Sequence, residues 1–313
     1  MSFTSIVKNE ASKVEATKTE YTSELSAVIN TIGKDENGIS MSFENASVAR
    51  RCFSIVKDLY SITPSVSVRK KYKNSSQYQY VLKINKEKEL IMSDLSIKGS
   101  TKIPNSFIYA DEELSRAYLR GIFLAVGTIS DPKTSRYHLE FIVTTREFAQ
   151  FLSTLLNAFN LKSKYIKKEN KYMVYIKEAE KISDFLRIIK AIQSLLYFED
   201  IRIYRDHKNM TNRLNNCEQA NVDKIVMNAS SQINDIELIK ESGLFDVLDK
   251  KIQEAALYRE KYSESSLTEL SEIISYETGI KITKSGLNHR MTKIKELANK
   301  IRERQDKDKP SKI

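Results

Sequence analysis

The chain has 313 residues, with 51 Lys and Arg against 41 Asp and Glu and a formal net charge of +10. A composition of 41% hydrophobic and 29% charged residues fits a globular chain and excludes a fibrous or disordered one. Cys52 and Cys217 lie far apart and form no CxxC pair, which excludes a zinc ribbon or a disulfide framework and points to a reduced, cytoplasmic protein. The start, Met1 to Lys13, carries no apolar signal region, and the longest apolar run, Leu119 to Ile129, is short and contains Arg120, so no membrane partner is expected.

Residues 3–32 are expected to be helical, stopping at Gly33. Residues 39–43 alternate like a strand, and Val48, Cys52, Ile55, Val56 and Leu59 recur at helical spacing before Pro64. Ser65 to Tyr72 and Tyr78 to Asn85 read as a hairpin around Lys73-Asn74-Ser75-Ser76, followed by a helix over 87–97. The same order then recurs: a helix from Asp111 to Gly127, a strand over 137–144, a helix over 146–159, a hairpin turning at Glu169-Asn170, and a helix over 179–196. Such a repeat predicts an α+β domain over 1–200 with two pseudo-twofold αββαββα halves, about 1–100 and 101–200.

Residues 201–243 read as a polar, Asn-rich linker opening into a connecting helix that ends at Ser242-Gly243. Residues 244–305 then predict an all-α module of three helices, over 246–262, 266–275 and 284–302, with a charged tail over 306–313. Ser266 and Glu269 have capping-box spacing, Gly279 ends the second helix, and Thr283 caps the third. On that third helix Leu287, Met291, Ile294, Ala298 and Ile301 share one face, while Ser285, His289 and Thr292 point the other way. Two helices with a short break and small hydrogen-bonding residues early in the second make a helix-turn-helix pattern. Asn suits adenine and Ser or Thr several base edges, while Lys and Arg hold phosphates. The candidate DNA contacts are Lys284, Ser285, Asn288, His289, Arg290, Thr292, Lys293 and Lys295. The competing reading is an ordinary helical hairpin with a solvated basic face. Charge favours the first: residues 279–313 hold 11 Lys and Arg against 4 Asp and Glu.

Several segments in order, Tyr118 to Pro132, Ala179 to Leu186, Asn212 to Asn221 and Lys284 to Met291, resemble the WhiA family of bacterial DNA-binding regulators over essentially the whole chain. The resemblance implies a LAGLIDADG homing-endonuclease fold joined to a helix-turn-helix similar to region 4 of sigma factors. It further implies double-stranded DNA as partner, RNA polymerase or another regulator as a second one, and roles in sporulation or in cell division and chromosome segregation. Alternatives are a nucleoid-associated or division-linked protein that does not regulate promoters, and a relic homing endonuclease.

In active nucleases of that fold the penultimate residue of each motif is an acidic metal ligand. Here the two positions are Ile32 and Val126, which offer no oxygen to a hard cation, so no catalytic residue, metal or cofactor is expected. The hairpins are basic, and Arg69, Lys70, Lys71, Lys73, Lys164, Lys167 and Lys168 are candidates for an accessory phosphate-binding face, against the alternative of a solvated lysine surface. Cys217 is expected to be a buried thiol. Asn212, Arg213, Asn216 and Asn221 are expected to cap helices and lock domains, or to contact a partner.

Overall fold

The computed structural model describes residues 1–35, 38–70, 78–97, 103–134 and 136–307. The chain divides into two compact units, Met1–Asp206 and His207–Ile313. Lys71, Lys73 and the expected turn at 73–76 lie outside the described residues, as does most of the charged tail.

The first unit opens with α1 (Phe3–Ala11) and α2 (Lys18–Ile32), separate helices where one was expected over 3–32. The second start was encoded: the Thr17 hydroxyl accepts from the Glu20 amide while the Glu20 carboxylate accepts from the Thr17 amide, a complete capping box. Then follow β1 (Lys34–Asp35), β2 (Ile39–Phe43), α3 (Ala46–Tyr60), β3 (Ser65–Lys70), β4 (Tyr78–Ile84) and α4 (Lys88–Asp94). The second half repeats this order with α5 (Glu112–Val126), β5 (Gly127–Ile129), β6 (Leu139–Val143), α6 (Arg146–Ala158), β7 (Lys164–Lys168), β8 (Lys171–Ile176) and α7 (Ala179–Ile188). The two antiparallel sheets run β1-β2-β4-β3 and β5-β6-β8-β7, so the αββαββα repeat read in the sequence is the fold.

Side chains of α2 and α5, together with the inner faces of both sheets, form one core that includes Leu25, Val28, Tyr118, Leu119, Phe141 and Ile84. The two helices touch at Gly121, where a Cβ would lie 2.4 Å from the Glu24 carbonyl oxygen and 2.8 Å from the Ala27 Cβ. Glycine is there for backbone approach, as small-residue packing requires.

The helix expected over 179–196 is broken. Lys190 adopts a left-handed conformation, and the Ala191 amide bonds back to the Leu186 carbonyl, which terminates α7. The next helix, α8, runs Ile192–Glu241. Its first amides are capped by the Glu10 carboxylate, 2.6 Å from the Gln193 nitrogen and 2.8 Å from that of Ser194. The stretch 201–224, expected as a linker, is therefore helical throughout. No Gly or Pro interrupts it, and Asn inside a helix costs only a few tenths of a kcal/mol, up to about 0.7. Cys217 is exposed, not buried, and Asn212, Arg213, Asn216 and Asn221 are exposed in the helix interior, where they cap nothing.

In the second unit the end of α8 joins α9 (Lys250–Lys261), α10 (Leu267–Thr278) and α11 (Lys284–Lys307). Residues 246–249, expected to be helical, instead form the end of a 3-10 turn (Phe245–Val247) and an Asp249 cap on the Lys251 amide. The core of this unit contains Ile236, Ile239, Ala255, Leu270, Ile274, Leu287, Met291, Ile294 and Ala298.

Candidate nucleic-acid interface

The geometry of α10 and α11 follows from local sequence. The Ser266–Glu269 capping box is formed in both directions, with bonds of 3.2 and 2.7 Å, and starts α10. Gly279 ends it in the left-handed conformation. The Ser275 hydroxyl accepts from the Ile282 amide at 2.9 Å and fixes the turn. Thr283 accepts from the Gly286 amide at 3.2 Å and starts α11. In the connection before α10, the buried Arg259 donates to the Ser265 carbonyl at 2.6 Å, and burial lowers its pKa. The turn between α10 and α11 is thus held by Ser275 and Thr283.

Leu287, Met291, Ile294, Ala298 and Ile301 are all buried on one face of α11, as the periodicity demanded. Lys284, Ser285, Asn288, His289, Thr292, Lys293 and Lys295 are all exposed. They do not share one outlook. Asn288, Thr292 and Lys295 line a cavity of about 230 Å³ with Asn228, Ser231 and Asp235 of α8. Ser285, His289 and Lys293 do not line it. Arg290 is set apart: it donates to the Lys251 carbonyl at 3.1 Å and lies 3.7 Å from Glu254, so its charge is already engaged within the module.

Gly286 is a residue whose role needs three dimensions. It sits exposed in the first turn of α11, and an added Cβ would meet nothing nearer than the Thr283 hydroxyl at 3.4 Å. Among the described residues nothing requires a glycine at this place, although glycine weakens a helix.

In the first unit, Ile32 and Val126 end α2 and α5 as partly buried aliphatic side chains packed on the core. Asp131, the acid just past the second motif, accepts from the Lys133 amide at 2.9 Å and closes a local turn. Among the described residues no group of three or more His, Cys, Asp or Glu converges as a metal site.

Strand register sorts the basic hairpin residues. Arg69 pairs with Gln79, and Ser67 with Val81, which pairs with Ser42, so these share the face of the first sheet turned away from the core. Lys83 belongs to the same face. In the second sheet Lys164 pairs with Tyr175, which pairs with Glu140, and Lys168 pairs with Lys171, giving the corresponding outer face. Lys70 and Lys167 pair with Tyr78 and Tyr172 and project from the opposite faces. Lys83 and Lys171 join these faces through the partner strands, opposite Ser65 and Lys168, so hairpin register is the signal that finds them.

Three family models cover the chain in order: a WhiA N-terminal LAGLIDADG-like domain at residues 19–98, a WhiA LAGLIDADG-like domain at 115–208, and a WhiA C-terminal HTH domain at 211–298. A probable cell division protein WhiA of Staphylococcus epidermidis is 40% identical over 310 residues, covering 96% of this chain and 98% of its own. One from Exiguobacterium sibiricum is 40% identical over 312 residues, covering 96% and 97%. The crystal structure of full-length DUF199/WhiA from Thermatoga maritima is similar at a TM-score of 0.58 and 25% identity, over 96% of this chain and 99% of that one.

Proposed function

Because the chain belongs to the WhiA family, we propose that it is a sequence-specific DNA-binding transcription regulator of the bacterial cytoplasm and nucleoid, tied to cell division. The observation that carries this reading is the outer face of α11. A capped helix in a helix-turn-helix setting leaves Ser285, His289 and Lys293 exposed at its start, with an unneeded glycine beside them. That is the chemistry of a helix reading the major groove. The outer faces of the two sheets, with Arg69, Lys83, Lys164 and Lys168, supply accessory phosphate contacts. The protein binds DNA without cutting it, since the motif acids are replaced by Ile32 and Val126 and hard cations need oxygen ligands. RNA polymerase or another regulator is the natural second partner of a promoter-bound protein.

The relatives' name, probable cell division protein, favours a second reading: a division-linked DNA-binding protein that does not act at promoters. Genome-wide occupancy measured beside transcript levels separates the two. Regulated genes next to bound sites support the first reading, and bound sites with unaffected neighbours support the second. A plasmid incubated with the protein and magnesium or manganese is expected to remain uncut.

A further inference from the structure

A cavity of about 730 Å³ opens in the first unit beside Val126, the position where the second motif lacks its acid. This volume lies within the ordinary range for small-ligand sites, roughly 300–1,000 Å³. Ser42 and Gln79 line it from the outer face of the first sheet, the face of Arg69, and Thr128 lines it from the row Thr128–Glu140–Tyr175–Lys164 of the second. Phe43, Tyr78 and Tyr80 line it from the other face of the first sheet, so the cavity sits at the sheet edge and reaches residues of both outer faces.

Among the described residues that line it, the cation is Lys8 of α1. Its position is fixed by its own helix. The Thr4 hydroxyl donates to the Ile129 carbonyl at 2.8 Å and accepts from the Ile129 amide at 2.9 Å, while Phe3 packs on Phe198. The Lys8 ammonium lies 5.8 Å from the centroid of the Phe123 ring in the last turn of α5, whose face and helix end both favour a positive charge. Among the described residues Lys8 forms no ion pair. Burial pushes its pKa down to about 8, and Glu44 on the cavity wall partly offsets this, so the ammonium is still charged at neutral pH. A partly desolvated lysine without a salt bridge costs stability, and function is the ordinary reason such a residue is kept.

We infer that this cavity is a phosphate-binding site in which Lys8 supplies the positive charge. An ammonium can hold a phosphate oxygen, but it has no open coordination position from which to activate water. A phosphate placed there is bound and left intact. Two sources share this chemistry: a backbone phosphodiester of DNA laid on the sheet faces, or the phosphate of a free ligand. Its reach to residues of both outer faces favours DNA, and that source rests on the proposed accessory role of the sheets.

The test uses the full chain, a nonspecific duplex and inorganic phosphate. Lys8→Met is expected to weaken duplex binding several-fold and to lower the slope of log affinity against log salt by about 0.9, one phosphate contact, with Lys8→Arg restoring it. If phosphate binds the wild type but not Lys8→Met, while the duplex slope is unchanged, the site is real and its source is a free ligand. If Lys8→Met changes neither, while Arg69→Glu with Lys164→Glu still weakens duplex binding, the phosphate site is wrong and the accessory sheet surface stands. If that pair is silent too, both fall. Should Lys8→Met fail to fold, broadening of the phosphorus resonance of phosphate by wild-type protein, reversed by duplex, supports the site, and an unperturbed resonance overturns it.

Discussion

The Glu24 carboxylate lies 2.7 Å from the Arg120 guanidinium, an ion pair with both side chains buried that joins α2 of the first half to α5 of the second. Arg51 completes it: its guanidinium bonds both Glu24 oxygens and also donates to the Ser12 and Val14 carbonyls at 3.0 and 2.7 Å. One carboxylate thus holds two arginines and, through Arg51, the turn between α1 and α2. Removing it leaves two guanidinium groups without their counter-charge. Glu24→Ala is therefore expected to destabilise the first unit by about 3–5 kcal/mol, the cost of breaking a buried pair. Urea unfolding of Glu24→Ala and wild type, side by side, measures it.

Gly121 and Gly286 should answer the same substitution in opposite ways. Gly121→Ala drives a Cβ to 2.4 Å from a backbone oxygen and should cost at least the 1–3 kcal/mol typical of overpacking. Gly286→Ala has open space and should raise the stability of α11 by about 0.5–1 kcal/mol. On the DNA-reading account the same change weakens DNA binding, because a methyl group then stands where a phosphate or base edge approaches. Melting curves and DNA titrations on both variants check the pair.

Lys8 makes stability depend on alkaline pH. Its folded pKa, about 8, lies below the ordinary value of 10.5, so between these values the unfolded chain holds a proton that the folded chain has lost. Stability must rise with pH across that window, by about 1–3 kcal/mol once water at the cavity mouth is allowed for. Lys8→Met should be more stable than wild type at pH 7 by a similar amount, with the difference fading by pH 10.5. Glu44, Tyr78 and Tyr80 also face the cavity and remain in both proteins, so the difference between the two melting profiles isolates Lys8.

Periodicity and caps made most of the architecture legible. The repeat appeared because each half carries the same helix–strand order, and the Ser266–Glu269 box located α10. What escaped had physical reasons. Lys190 ends α7 in a left-handed conformation usually marked by glycine, so no local residue announced the break. The middle of α8 is exposed on every side and carries no apolar stripe, which made a helix look like a linker. Thr17 and Glu20 did announce the start of α2, but the helical pattern on either side masked them. On α11 the buried stripe was readable from spacing, whereas the engagement of Arg290 by Lys251 and Glu254 depends on a helix far away in sequence. The same holds for Lys8, whose neighbour Phe123 lies in the other half of the unit.

If the start of α11 reads DNA sequence, footprinting of the full chain carrying both Ser285→Ala and His289→Ala shows it most directly. Both side chains are exposed, so the melting temperature should hold. Protected sites should vanish while salt-sensitive nonspecific binding persists, each lost base contact costing about 1–3 kcal/mol of discrimination. Unchanged footprints at wild-type affinity would contradict it.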